Sequence, residues 1–98
     1  MAVELLRDAR EWVVRLSGVV DVAEASLLHA AALEAVRGAP LAVVVHLQTV
    51  DRLDTSATQI LLALQEALTA SGRVLRIERT PPAITLLWQR AGLGERLR

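Results

Sequence analysis

The 98-residue sequence contains no cysteine and no lysine, and its only aromatic residues are two tryptophans. Without cysteine there is no disulfide, no thiolate zinc site and no cysteine nucleophile, and a reducing compartment is compatible. Without lysine there is no phosphate-cradling Walker lysine, no Schiff base and no lysine general base. Two lone histidines, His29 and His46, make a poor metal set. Neither a metal nor another cofactor is expected. No apolar run approaches the roughly 20 residues that span a bilayer. The stretch Met1 to Arg10 carries acidic residues and lacks the apolar core of a signal peptide, so no membrane insertion and a cytoplasmic location are expected. Excess charge of one sign is also missing: eleven arginines face eleven acidic residues, giving a formal net charge of zero. That neutrality argues against nucleic acid or an anionic membrane as the main ligand, because binding to phosphates needs a concentrated positive surface.

What is present suits one folded domain over residues 1–98. Hydrophobic residues make up 53% and charged residues 22%, enough to fill a core and unlike a disordered chain. From Val3 to Leu16 helical and strand spacings compete, and two short strands with a turn near Asp8 fit better. Gly18 breaks the pattern. Asp21 stands at an N-cap position with Glu24 three residues on, which predicts a helix from about Val22 to Val36 with Ala25, Leu28, Ala32 and Ala35 inward. Gly38 and Pro40 stop it.

The run Leu41 to Leu47 is β-branched and apolar at both parities, as in a strand covered on both sides. A polar link with Asp51 and Arg52 follows. A second helix is predicted from Asp54–Ser56 to about Ala70, with Ala57, Ile60, Leu61, Leu64 and Leu68 inward, closed by Gly72. Arg73 to Arg79 reads as a strand. Pro81 and Pro82 then open a third helix with Ile84, Leu87, Trp88 and Ala91 buried. This alternation predicts an α/β sheet with parallel crossovers, and ligand sites in such sheets lie where strands end and helices begin. Those edges are the segments around Asp21 and around Asp54 to Ser56.

Two segments resemble the STAS family, whose best-known members are bacterial anti-sigma factor antagonists. Trp12 to Asp21 is similar to that family's strand, Gly, two residues, Asp pattern, and Asp54-Thr55-Ser56-Ala57 to its Asp, Ser or Thr, Ser, Gly motif. The Gly72 to Leu75 strand start and the Trp88 to Leu93 helix ending continue the likeness. The resemblance implies a mixed sheet of four to five strands with three to four helices, in a single layer packed mainly on one face. It implies a phosphorylation-controlled, partner-switching regulator of signal transduction and transcription, not an enzyme. Its partner would be an anti-sigma factor that is also a serine kinase, or a related signalling protein. Ser56 then stands at the phosphorylated serine, Asp54 before it and Asp21 at the neighbouring loop aspartate. Asp21, Asp54, Thr55, Ser56, Ala57 and Gln59 form the expected partner-binding set.

The sequence departs from that family at Ala57, where Gly is usual, so a different turn is expected there. The Asp54-Thr55 pair is similar to the STAS subunit of bacterial phospholipid-transport ABC complexes, in which the Thr is the functional position. This alternative has Thr55 in place of Ser56 and an ABC ATPase subunit as partner. The Thr58 to Leu64 stretch resembles STAS proteins found beside chemotaxis systems.

Plainer roles compete at each position. Ser56 with Gln59 has capping-box spacing, and Asp54 and Asp21 are N-cap candidates. A hydrolase built on Ser56 and His46 is disfavoured because no nucleophile-elbow glycines flank the serine; His46 is expected at a sheet margin. Trp12 and Trp88 fall in apolar stripes. Arg73, Arg76 and Arg79 suggest a solvated strand face, and exposed Leu and Val at a free sheet edge would permit a homodimer.

Overall fold

The computed structural model describes residues 2–97. Four strands and three helices follow in the order β1 (Val3–Arg7), β2 (Glu11–Val20), α1 (Val22–Gly38), β3 (Ala42–Leu53), α2 (Thr55–Ala70), β4 (Val74–Glu78) and α3 (Pro82–Arg90). The sheet has the same spatial order, β1-β2-β3-β4. The β1–β2 pair is antiparallel, joined at a turn in which Asp8 Oδ1 accepts the Arg10 amide at 3.0 Å. The β2–β3 and β3–β4 pairs are parallel. Each parallel crossover moves one strand over in the same direction, so the common right-handedness of such units lays α1 and α2 on the same face.

Strand parity explains the rest of the core. Val3 and Leu16, Val14 and Val45, and Val43 and Leu75 pair across the strands and point toward the helices. They meet Leu28, Ala32 and Ala35 of α1, and Leu61, Leu64 and Leu68 of α2, in one cluster with Ile84 and Trp88 of α3. Trp88 is 2% exposed, and its indole N–H donates to Thr58 Oγ1 at 3.2 Å, tying α3 to the buried side of α2. Trp12 is only partly buried, lying under the Arg7 guanidinium and against Gly38. A Cβ on Gly38 would lie 2.9 Å from Trp12 Cη2, so this glycine allows close helix–strand approach in addition to ending α1.

Several expectations need correction. β3 does not end at Leu47. It runs on to Leu53, pairing with Ser17–Val20 across two bulges, so the segment read as a polar link is strand. Gln48, Thr49, Asp51 and Arg52 concealed it because this half is solvated at most positions, while Val50 and Leu53 still reach the core. Nor is β3 covered by helices on both sides. Its second face carries Val44 and His46 among the ion pairs Glu4–Arg15, Arg76–Glu78 and Arg76–Glu11, with His46 Nε2 against Glu78. Arg76 lies opposite Val44 and Glu11 opposite Ala42, so their bridge crosses β3, and Val44 is 1% exposed with no helix above it. His46 therefore belongs to an inner strand, not a margin.

Arg73, Arg76 and Arg79 do not share a face, because a step of three in a strand changes side. Arg76 joins the ion pairs, and Arg79 follows β4 at φ 58°. Arg73 turns inward to the carboxyl end of α1, donating to the carbonyls of Ala35, Val36 and Ala39 at 3.1, 2.7 and 3.2 Å. Leu87 of α3 and Ala91, its C-cap, are exposed, because only Ile84 and Trp88 of the helix's apolar residues reach the core. Among the described residues no helix is long and apolar enough to cross a membrane.

Candidate functional site

The carboxyl ends of β2 and β3 lie side by side, with Val20 paired to Leu53. The Asp54 amide donates to the Val20 carbonyl at 2.9 Å, extending that pairing into the turn. The parallel strands thus bring the amino ends of α1 and α2, and the aspartates that cap them, to one edge. Asp21 Oδ1 accepts the Glu24 amide at 3.2 Å. Asp54 Oδ1 accepts the Ser56 amide at 3.1 Å and lies 3.4 Å from Ser56 Oγ, the donor of a second, longer bond. Each carboxylate satisfies one of the unpaired N–H groups of a first helical turn and opposes the positive helix end.

The capping role assigned to Ser56 with Gln59 therefore belongs to Asp54. Ser56 is the second residue of α2, half-buried, with its hydroxyl turned back to the aspartate. Thr55, the first residue of α2, and Gln59, one turn along, are exposed. Ala57 is fully buried in the core cluster, so its side chain offers a partner no surface, and it leaves the expected contact set. The different turn expected from an alanine here is also absent. Ala57 lies inside regular helix, where its Cβ fills core space and no positive φ is required.

Sequence reasoning missed part of this edge. Opposite Gly18, whose φ is 65°, the β2–β3 register slips, so that Val50 pairs with Gly18 and Arg52 with Val19, leaving Asp51 as the extra residue. A bulge re-aims side chains. Asp51 and Arg52 are exposed, as are Val19 and Val22 beside Asp21, at 45% and 69%. The signal was the isolated glycine in a strand pattern. His46 is not brought into a catalytic pair with Ser56: its Nε2 faces Glu78 Oε1 at 3.2 Å on the sheet's helix-free side, while the serine bonds Asp54.

A small mixed sheet with one layer of helices and two capped helix starts at one edge defines a class of domain. A family model described as Mlab, STAS domain, matches residues 4–98, and the chain belongs to the STAS family. Among solved structures, the Bacillus anti-sigma factor antagonist SpoIIAA in its unphosphorylated form is similar at a TM-score of 0.85 and 21% identity, over 99% of this chain and 86% of that one. SpoIIAA in its phosphorylated form, a Bacillus cell fate determinant, gives 0.81 and 22% over 99% and 89%. An anti-sigma factor antagonist from Mycobacterium paratuberculosis gives 0.80 and 25% over 97% and 80%. No curated protein matches.

Proposed function

We propose that the protein is a non-enzymatic, partner-switching regulator that docks a signalling protein, of the kinase-type anti-sigma factor class, at the edge formed by Asp21 and the Asp54–Ser56 turn. The observation that carries this reading is the convergence of two capped helix starts with two adjacent hydroxyls, one exposed and one half-buried, on an open edge. Phosphorylation of Ser56 is the switch. A phosphate carries about 1.5 to 2 negative charges near neutral pH. On Ser56 it would sit beside Asp54, now 3.4 Å from the hydroxyl, and displace that carboxylate from its cap. The free N–H groups of the first turn would donate to the phosphate oxygens instead, so the fold survives while the docking surface changes charge and shape. Likeness to an anti-sigma factor antagonist solved in both phosphorylation states supports the reading.

Thr55 favours a second reading. It is the more exposed of the two hydroxyls and is free of the Asp54 contact that holds Ser56. In that case the domain is the STAS accessory subunit of a phospholipid-transport ABC complex, docked on its ATPase through the start of α2.

Incubation of the purified chain with ATP and host lysate, followed by intact mass and analysis of co-purifying proteins, separates the two. One added phosphate with a kinase-like partner supports the first; a stable ATPase partner without modification supports the second. For the first, Ser56→Asp is expected to weaken the partner at least about tenfold, roughly 1.4 kcal/mol, with the far-ultraviolet spectrum unchanged. An unchanged affinity, or an unfolded variant, refutes the switch.

A further inference from the structure

A groove between α1 and α2 begins at His29 and Gln59, more than one turn along each helix from that edge. His29, Leu33 and Val36 line one wall, and Gln59, Ile60 and Ala63 the other, with a volume of about 360 Å³. It is apolar along its length, and α2 carries one charged residue, Glu66, in sixteen. Depletion of charge with retention of apolar area marks the centre of a protein interface rather than ordinary surface. Small side chains at Ala63 and Ala67 leave room for a helix to approach closely.

Charge identifies the occupant. The acidic residues Glu4, Glu11, Glu34, Glu66 and Glu78 form ion pairs with arginines elsewhere on the molecule. Beyond the groove's amino end, about 7.5 Å along the helices from His29 and Gln59, stand Glu24 and Asp54, with Asp21 capping α1 and Asp51 on the β3 bulge; none is in an ion pair among the described residues, and Arg52 is the cation next to Asp51. Two helix amino ends contribute about half a positive charge each, which leaves an excess of about two negative charges. Arg37, in the last turn of α1, lies toward the opposite end.

On the partner-binding reading above, we infer that the groove receives an amphipathic helix of the partner, apolar along the groove and carrying Arg or Lys at the end that meets Asp21, Asp51 and Asp54. A carboxylate-rich partner surface is disfavoured at this edge. A phosphate on Ser56 attracts such a basic segment, so release of the partner rests on the bulk of the phosphate within the contact outweighing that attraction. A helix laid antiparallel to α1 and α2 puts its own carboxyl end, where cations are favoured, against the acidic edge.

The test is a titration of the full chain, followed by amide shifts in nuclear magnetic resonance, with a synthetic helix bearing a Leu/Ala face and arginines in its last turn. A second peptide has those arginines replaced by glutamates. Expected are shifts at Gln59, Ala63 and Leu33 with the arginine peptide, at least about tenfold weaker binding of the glutamate peptide, and loss of that preference in roughly 1 M salt, where the screening length falls to about 3 Å. Ala63→Glu should abolish binding, and Asp51→Lys should narrow the gap between the peptides; both positions are exposed, so the fold is retained. Equal binding of the two peptides, shifts on the helix-free sheet face, or no binding at about 1 mM, which corresponds to roughly 4 kcal/mol, overturns the inference. The switch itself is judged separately, by Ser56→Asp against the natural partner.

Discussion

Replacing Arg73 by methionine should cost far more than replacing Arg76, three residues along. Arg73 donates through Nη1 to Ala35 and Ala39 and through Nη2 to Val36, and its Nε bonds Ser71 Oγ at 2.7 Å. The Ala35 carbonyl also accepts the Ala39 amide, so it is not left bare, but the other two lose this donor. A hydrogen bond to a charged group contributes about 1.5–3 kcal/mol. The three carbonyl bonds share one partly exposed guanidinium, so they are not additive, and about 3 kcal/mol in total is expected for Arg73→Met. Lysine keeps the charge near the helix end and reaches one carbonyl, so Arg73→Lys should recover about 1 kcal/mol. Arg76→Met removes half-exposed ion pairs to Glu11 and Glu78 and should cost less than about 1 kcal/mol. Urea denaturation followed by circular dichroism measures all three, with the midpoint moving and the slope constant. At roughly 4–8 °C per kcal/mol for a domain of this size, Arg73→Met should lower the melting temperature by more than about 10 °C. Equal losses for Arg73→Met and Arg76→Met would refute the assignment of Arg73 as the staple of α1.

Other substitutions probe the site and its supports. Asp54→Ala removes the α2 cap and should cost about 1 kcal/mol, most of it restored in Asp54→Asn, with faster amide exchange at Ser56 as the local readout. Ala57→Gly should lose about 1.5 kcal/mol, from helix propensity and one buried methyl, in chemical denaturation, whereas a turn that needed glycine would gain stability. Trp88→Phe should cost about 2–3 kcal/mol, and a double-mutant cycle with Thr58→Val should return a coupling of about 1 kcal/mol if the indole bond stabilises the α2–α3 contact.

Much of the architecture was legible because local rules and tertiary structure agree. Asp21, Gly38, Asp54 and Pro82 bound their helices through capping and φ preferences that act within a few residues. The spacing of Ala25, Leu28, Ala32 and Ala35 defines a buried stripe before any partner is known, since helical period alone selects a face. The hydroxyl pair at Thr55 and Ser56 could likewise be placed at a helix start. What failed depended on distant neighbours. Gln48 to Leu53 joins the sheet only because β2 offers a partner across two bulges, and no period of two survives such slips.

Residue order alone thus determined the three helices, the first half of β3 and most of the buried stripes of α1 and α2, because propensity, periodicity and capping are short-range. Tertiary structure decided which of them meet. It placed Asp21 beside Asp54 through the Val20–Asp54 bond and carried Arg73 to carbonyls more than thirty residues earlier in the chain. It also chose Asp54 over Ser56 as the cap of α2 and left an apolar groove between α1 and α2. Those juxtapositions follow from strand order and crossover direction, which set distances between residues remote in sequence.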